Sequence, residues 1–205
     1  MGVTDRTPLT ATELSRSFDP APTDDPVDLI RRLLYNCYSI PKGEPNFQLT
    51  PERFAKYLDE HFFGDPAKTL STLKGSVFPT AYEGLIAETE IAVDGMCPHH
   101  LLPISYTMAI GYLADGKVLG LSKLVRLARA YGSKPLLQED VTELIADGLE
   151  SLLNTRGVGV VIEGRHSCMA IRGVKSAPKV TTSTVRGLLR ESPSAKEEFL
   201  MLVRR

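Results

Sequence analysis

The chain has 205 residues, enough for one domain with a sizeable core, or for one domain with an N-terminal extension. Hydrophobic residues make up 42% and charged residues 24%, as in an ordinary soluble globular protein. A net charge of −1 supplies no basic field for nucleic acid or an anionic membrane surface, and no apolar run reaches transmembrane length, so neither partner is expected.

Residues 1–24 are rich in Thr, Pro, Asp and Ser and lack the apolar core of a signal peptide, so a flexible lead-in is expected there. From Asp25, the apolar residues Val27, Ile30, Leu33 and Leu34 recur at helical spacing. Cys37 follows in an apolar stretch and reads as a core residue. Two prolines and a glycine between Ser39 and Leu49 indicate a loop. Thr50-Pro51-Glu52-Arg53 then predicts a helix start, with Thr50 as N-cap and Pro51 in the first helical position, and an end near Gly64. Residues 25–64 thus read as an N-terminal helical part and residues 65–205 as the main domain.

Partial alternation from Gly84 to Val93 predicts a strand running into the stretch Met96 to Leu102, and a second strand follows Pro103. Asp115-Gly116 predicts a hairpin turn into KVLGL. Ser122 stands where it would cap a helix reaching about Tyr131. A longer helix is predicted from Gln138 to Leu153, with the stripe Val141, Leu144, Ile145, Leu149 and Leu152. Strands are predicted at 157–163, 166–174 and 179–185, and a last helix at 193–203. The order implies an α+β fold, a largely antiparallel β-sheet with helices packed on it.

The chemistry concentrates in two places. Of three cysteines and four histidines, five lie in MCPHHLL (Cys97, His99, His100) and RHSC (His166, Cys168). Thiolate and imidazole are the donors Zn²⁺ prefers. Cys97 and His100 are three apart, as in a tight turn, and His166 and Cys168 would share one face of a strand. A closed structural site takes four protein ligands, whereas a catalytic one takes three and leaves a position for water. Five candidates exceed one tetrahedron, so Cys97, His100 and Cys168 are read as the metal ligands, with His99 and His166 as acid/base groups beside them. A structural Cys/His knot stapling two loops is the alternative. Free thiols beside histidines suit a reducing cytoplasm.

Three further groups carry possible roles. Ser122, Lys123 and Arg126 cluster at one helix start and could hold phosphate, although on local grounds an ordinary capped helix with a basic face explains them more simply. Arg172, four residues past Cys168, would face the metal on the same strand and want an anion, or else a plain salt bridge; Arg53, opening a helix, is a weaker candidate of the same kind. Gln138 and Glu139 begin the long helix, where acidic residues favour the dipole, but a carboxylate there could also accept adjacent N–H donors of a purine.

TPERFAK, MCPHHLLP, GYLADGKVLGLSKLVRLARAY, LQEDVTELIADGL, GVGVVIEGRHSCMAIRGV and TSTVRG, in this order and spacing, resemble the GTP cyclohydrolase I family from about Thr50 to the C-terminus. The resemblance implies the tunnelling fold (T-fold), Zn²⁺, and conversion of GTP and water to 7,8-dihydroneopterin triphosphate and formate, the first step of tetrahydrofolate and pterin biosynthesis. It also implies a cytoplasmic homo-oligomer, usually a decamer, with active sites at subunit interfaces. Carried over by position, the metal ligands fall on Cys97, His100 and Cys168, and the catalytic histidines on His99 and His166. The guanine carboxylate falls on Glu139 beside Gln138, and a group near the ribose and phosphates on Ser122. Triphosphate contacts fall on Lys123, Arg126, Arg172 and, from a neighbouring subunit, Arg53. Position 98 is Pro where many members carry Glu. A related T-fold enzyme that stops at the ring-opened intermediate is the alternative activity.

Overall fold

The computed structural model describes residues 25–41, 43–62 and 64–204; the lead-in expected at 1–24 lies outside them. Helix α1 (Pro26–Arg32) is capped by Asp25, whose carboxylate accepts from Val27 N. It runs on as a π-helical segment, Leu33–Cys37. Of the expected apolar stripe only Ile30 is buried, and Cys37 is exposed, so the core assignment of this cysteine is corrected: among the described residues α1 packs chiefly on α2 and buries one narrow edge. Helix α2 (Thr50–Phe62) takes in Thr50 itself, and Leu49 O accepts from Arg53 N ahead of it. Near its end His61 is buried and Nδ1 donates to Ser133 O at 2.7 Å. Helix α3 (Pro66–Lys74), which was not among the expected elements, opens on an Asp-Pro pair with Asp65 as its cap.

Strand β1 (Val77–Pro79) is followed by β2 (Leu85–Met96) and β3 (Pro103–Leu113), which pair antiparallel around the loop 97–102. The expected hairpin after β3 does not form. Asp115 and Gly116 do turn the chain, with Gly116 at φ +70°, but β4 (Lys117–Leu119) pairs with β1 rather than folding back on β3. The partner β3 uses instead is β5, and no local turn signal can report a pairing between strands that far apart.

Helix α4 (Leu121–Gly132) is preceded by Gly120 as N-cap, so Ser122 lies inside the first turn and does not cap it. Helix α5 (Gln138–Leu153) falls as predicted, its stripe of Val141, Leu144, Ile145, Leu149 and Leu152 wholly buried, and ends on Asn154 in the left-handed conformation. Strand β5 (Gly157–His166) is longer than expected, and the strand expected at 166–174 is absent. In its place stand one helical turn, α6 (Ser167–Ala170), and an exposed loop. Strand β6 (Lys179–Gly187), the short α7 (Leu188–Glu191) and α8 (Pro193–Val203) close the chain.

The main sheet has the order β2-β3-β5-β6, antiparallel throughout, with α4 and α5 covering one face, as the α+β reading required. Ile104, Tyr106, Met108, Ile110 and Tyr112 of β3 alternate onto this face and are buried beneath the helices. Among the described residues the opposite face is covered at one end, where Phe199 of α8 lies fully buried over Gly111 and Gly159. A Cβ at Gly159 would come within 2.6 Å of the Phe199 ring, so absence of a side chain is what admits the ring. The other end of the sheet, where β2 ends and β3 begins, carries Cys97, His100, His166 and Cys168, the candidate site residues.

Candidate metal centre and substrate site

Strand β2 delivers Cys97, buried, to the end of the sheet. The chain then doubles back: Cys97 N donates to Leu102 O and Leu101 N to Cys97 O, both at 2.9 Å, with Leu101 at φ +52°. Pro98 restricts the start of this turn. The turn folds His100 back over the strand end, with Nδ1 3.5 Å from Cys97 Sγ. Antiparallel pairing places His166, the last residue of β5, opposite Ile104 of β3. The chain then turns helically and presents Cys168 to the same place. Donor atoms of Cys97, His100 and Cys168 all lie within 4.8 Å of one another, a group that can hold a metal ion. The route differs from the expected one: Cys168 arrives by a helical turn, not by sharing a strand face with His166.

His99 is exposed beside His100, their ring centroids 6.2 Å apart. His166 is half-buried; Nε2 lies 3.0 Å from Gln138 Oε1, and the ring stands edge-on to Tyr106 at 6.4 Å. Burial pushes the His166 imidazole below its ordinary value, and the negative charge of Glu139 draws it part of the way back. The Cys168 thiol is pushed up by burial and by Cys97, while Arg172 pulls it down, so Arg172 stands near the group although it sits on an exposed loop and not on a strand. Tyr106 forms a buried wall, its hydroxyl held protonated by burial and then by the fields of Cys97 and Glu139. Tyr106 lies outside every expected motif, and Thr182, which meets the Gln138 amide, opens the motif TSTVRG but was given no role there. Only the inward alternation of β3 and the hydroxyl-rich pattern of β6 hinted at them.

Glu139 is exposed in the first turn of α5, with its field reaching His166 and Tyr106. Gln138 is buried, and its amide is bonded to Ile162 O, Val180 O and His166, so it meets protein rather than open space.

Ser122, Lys123 and Arg126 are not brought to this centre within one chain. Gly132, ending α4, packs on Val93 and Met108, and its carbonyl faces Gly95 close to the metal group. Gly120, before α4, faces Phe78 and Ser76. Ten residues of helix put Ser122 roughly 15 Å from that end. Ser122, Lys123 and Arg126 line a groove of about 820 Å³ that runs along α4, with Lys68, Arg129 and, towards the end of the helix, Ser133 and Lys134. Arg53 is exposed on α2, and Lys56, one turn further and also exposed, presents a second cation beside it that the sequence patterns did not single out.

Residues 29–204 match the GTP cyclohydrolase I family. Among curated relatives, the GTP cyclohydrolase 1 of Mycobacterium avium is 39% identical over 204 residues, covering 97% of this chain and 96% of the relative. That of Chlorobaculum tepidum is 35% identical over 205 residues, covering 95% and 90%. That of Gloeobacter violaceus is 36% identical over 181 residues, covering 88% and 84%. The match begins in α1, further towards the N-terminus than the motifs alone reach.

Proposed function

The chain belongs to the GTP cyclohydrolase I family, enzymes of the first step of pterin and folate synthesis, and from that premise we propose that it converts GTP and water to 7,8-dihydroneopterin triphosphate and formate at a Zn²⁺ centre. The observation that carries the proposal is the convergence of Cys97, His100 and Cys168 next to His166, with Glu139 close by. The donor set fits zinc: two thiols and an imidazole are its preferred ligands, and a tetrahedral ion would hold sulfur and nitrogen about 3.6 Å apart. The Cys97 Sγ to His100 Nδ1 separation of 3.5 Å agrees with that spacing. Three ligands, not four, favour a catalytic over a stapling role. Bound there, Zn²⁺ supplies Lewis acidity and lowers the pKa of water at its open position towards neutrality.

The side chains divide the remaining work. Glu139 accepts adjacent N–H donors of the guanine and so turns its imidazole ring towards the metal group. His99 protonates N7 and makes C8 electrophilic, which prepares hydrolytic opening of the ring and release of C8 as formate. His166, with Ser122, moves protons while the ribose opens and rearranges. Lys123, Arg126, Arg172 and Arg53 hold the triphosphate, converting remote binding energy into position. Because Ser122 and Lys123 stand at the far end of α4 and Arg126 midway along it, their use at the metal centre is best served by a second copy of the chain, which supports a homo-oligomer, on the family's pattern a decamer, with sites between subunits. Residues 65–205 form the catalytic unit and residues 25–64 a helical part that brings Arg53. No helix among the described residues is long and apolar enough to cross a membrane, and reduced thiols at the centre suit the cytoplasm.

The test is direct. Metal-loaded protein incubated with GTP should release formate and, after oxidation, a fluorescent pterin. Zinc-loaded protein that yields neither product would refute the assignment.

A further inference from the structure

Gln138 is only 3% exposed, and its amide is committed at both ends. Nε2 lies 3.1 Å from Ile162 O, 3.0 Å from Val180 O and 3.2 Å from Thr182 Oγ1. Two of these partners are carbonyl oxygens, which only accept, so a flipped amide would set oxygen against oxygen twice. The hydroxyls give the same orientation independently. Thr142 Oγ1 spends its hydrogen on Gln138 O at 2.8 Å, so in the 2.7 Å contact with Thr182 Oγ1 it accepts and Thr182 donates. Thr182 can then only accept from the amide, which must present nitrogen. The amide oxygen is thereby left as the end 3.0 Å from His166 Nε2. It has no proton to give, so the proton of that bond belongs to the imidazole.

We propose that Gln138 is a positioning residue that holds the His166 ring through an Nε2–H bond and so fixes it in the Nε2–H tautomer. This rests on reading His166 as a group that moves protons during turnover. In neutral imidazole a proton on Nε2 leaves the lone pair on Nδ1, which has no hydrogen-bonding partner among the described residues. Nδ1 is therefore the nitrogen left for contacts outside the protein, and the bond to Gln138 sets which way the ring presents it.

Solid-state NMR of metal-loaded protein labelled with ¹⁵N-histidine tests this, with the His166 signals identified by their absence from H166A. Nε2 should be protonated and Nδ1 bare in the neutral ring. Gln138→Leu removes the acceptor and should populate the Nδ1–H tautomer. Turnover of GTP should then fall about 10²-fold in kcat, the scale of one general acid–base group, with KM within about threefold. A proton on Nδ1 in the unaltered protein, or an unchanged tautomer in Gln138→Leu, overturns the proposal. Should Gln138→Leu not fold, the spectrum of the unaltered protein decides alone. Absence of turnover on GTP with the Nε2–H tautomer present would sink the catalytic assignment and leave the tautomer lock standing.

Discussion

A Cβ at position 164 would intrude on Gln138 Oε1 and sit 3.1 Å from both Gln138 Cδ and Tyr106 Cε1. Gly164 is therefore the floor on which the amide rests. A free glutamine would swing aside at little cost, but this one would lose its bonds to Ile162 and Val180 in doing so. Gly164→Ala is expected to lower kcat on GTP about tenfold or more while leaving bound metal unchanged, as for outer partners of a catalytic group. Parallel measurement of kcat and metal content checks it, and a fall in metal content equal to the fall in kcat would argue against this cause.

Metal content separates ligands from neighbours. Cys168→Ser and His100→Ala each leave two donors of the three, and metal retained after dialysis against a weak chelator should fall at least tenfold. His99→Ala should keep its metal and still lose about 10²-fold or more in kcat, because the imidazole acts on substrate and not on the ion. Elemental analysis of each variant beside its kinetics decides between this assignment and a structural knot, in which His99→Ala would be silent.

The sign of the His166 shift sets a pH dependence. Burial lowers its folded value below the ordinary 6.5, with Glu139 opposing, and a bound cation would push the same way as burial. As pH falls, the unfolded chain takes up the proton first. The contribution of this group to stability is therefore complete above 6.5 and is lost as pH drops through the lower, folded value. Since the neutral ring is the proton acceptor, the acid limb of kcat should lie below 6.5 and vanish in His166→Ala. A pH profile at saturating GTP with an acid limb above that value would contradict the assignment.

Strongly periodic segments announced themselves: the stripe of α5 and the alternation of β3 both bury what their spacing says they bury. The convergence of Cys97, His100 and Cys168 was equally legible, because thiols and imidazoles are rare and their clustering survives a wrong local structure. That structure was wrong at His166-Ser167-Cys168, where a spacing of two fits a strand face and a helical turn alike. Only the end of pairing between β3 and β5 at Ile104 and His166 decides between them. The orientation of Gln138 was out of reach for another reason: its partners Ile162, Val180 and Thr182 are 24 to 44 residues away. The distance of Ser122 from the centre follows from the direction of α4, which no motif encodes.

Arg186 on β6 reaches Glu143, Asp147 at 2.6 Å and Glu150 at 2.8 Å, three carboxylates on one face of α5, and so ties the edge strand to the helix that carries Gln138 and Glu139. The arginine is 23% exposed but its partners are 40–55% exposed, so solvent screens each pair. Arg186→Met should cost about 1–2 kcal/mol through lost pairing and through repulsion among the three acids left behind. Denaturant unfolding checks it, and the difference should shrink in 1 M salt, where the Debye length is only about 3 Å.

Subunit sharing can be tested without coordinates of the assembly. Lys123→Ala spoils the groove at the start of α4, and His166→Ala spoils the metal end, some 15 Å away along the helix. Each variant alone should be nearly inactive. If the two ends of one chain serve different sites, subunits mixed and reassembled will bring an intact groove from one variant to an intact metal end from the other. Random mixing in equal amounts then restores about a quarter of the sites, and of the activity, for a heterologous interface. If every site were built from a single chain, each would carry one defect or the other and mixing would restore nothing. Activity of the reassembled mixture, against the same proteins combined without dissociation, gives the answer.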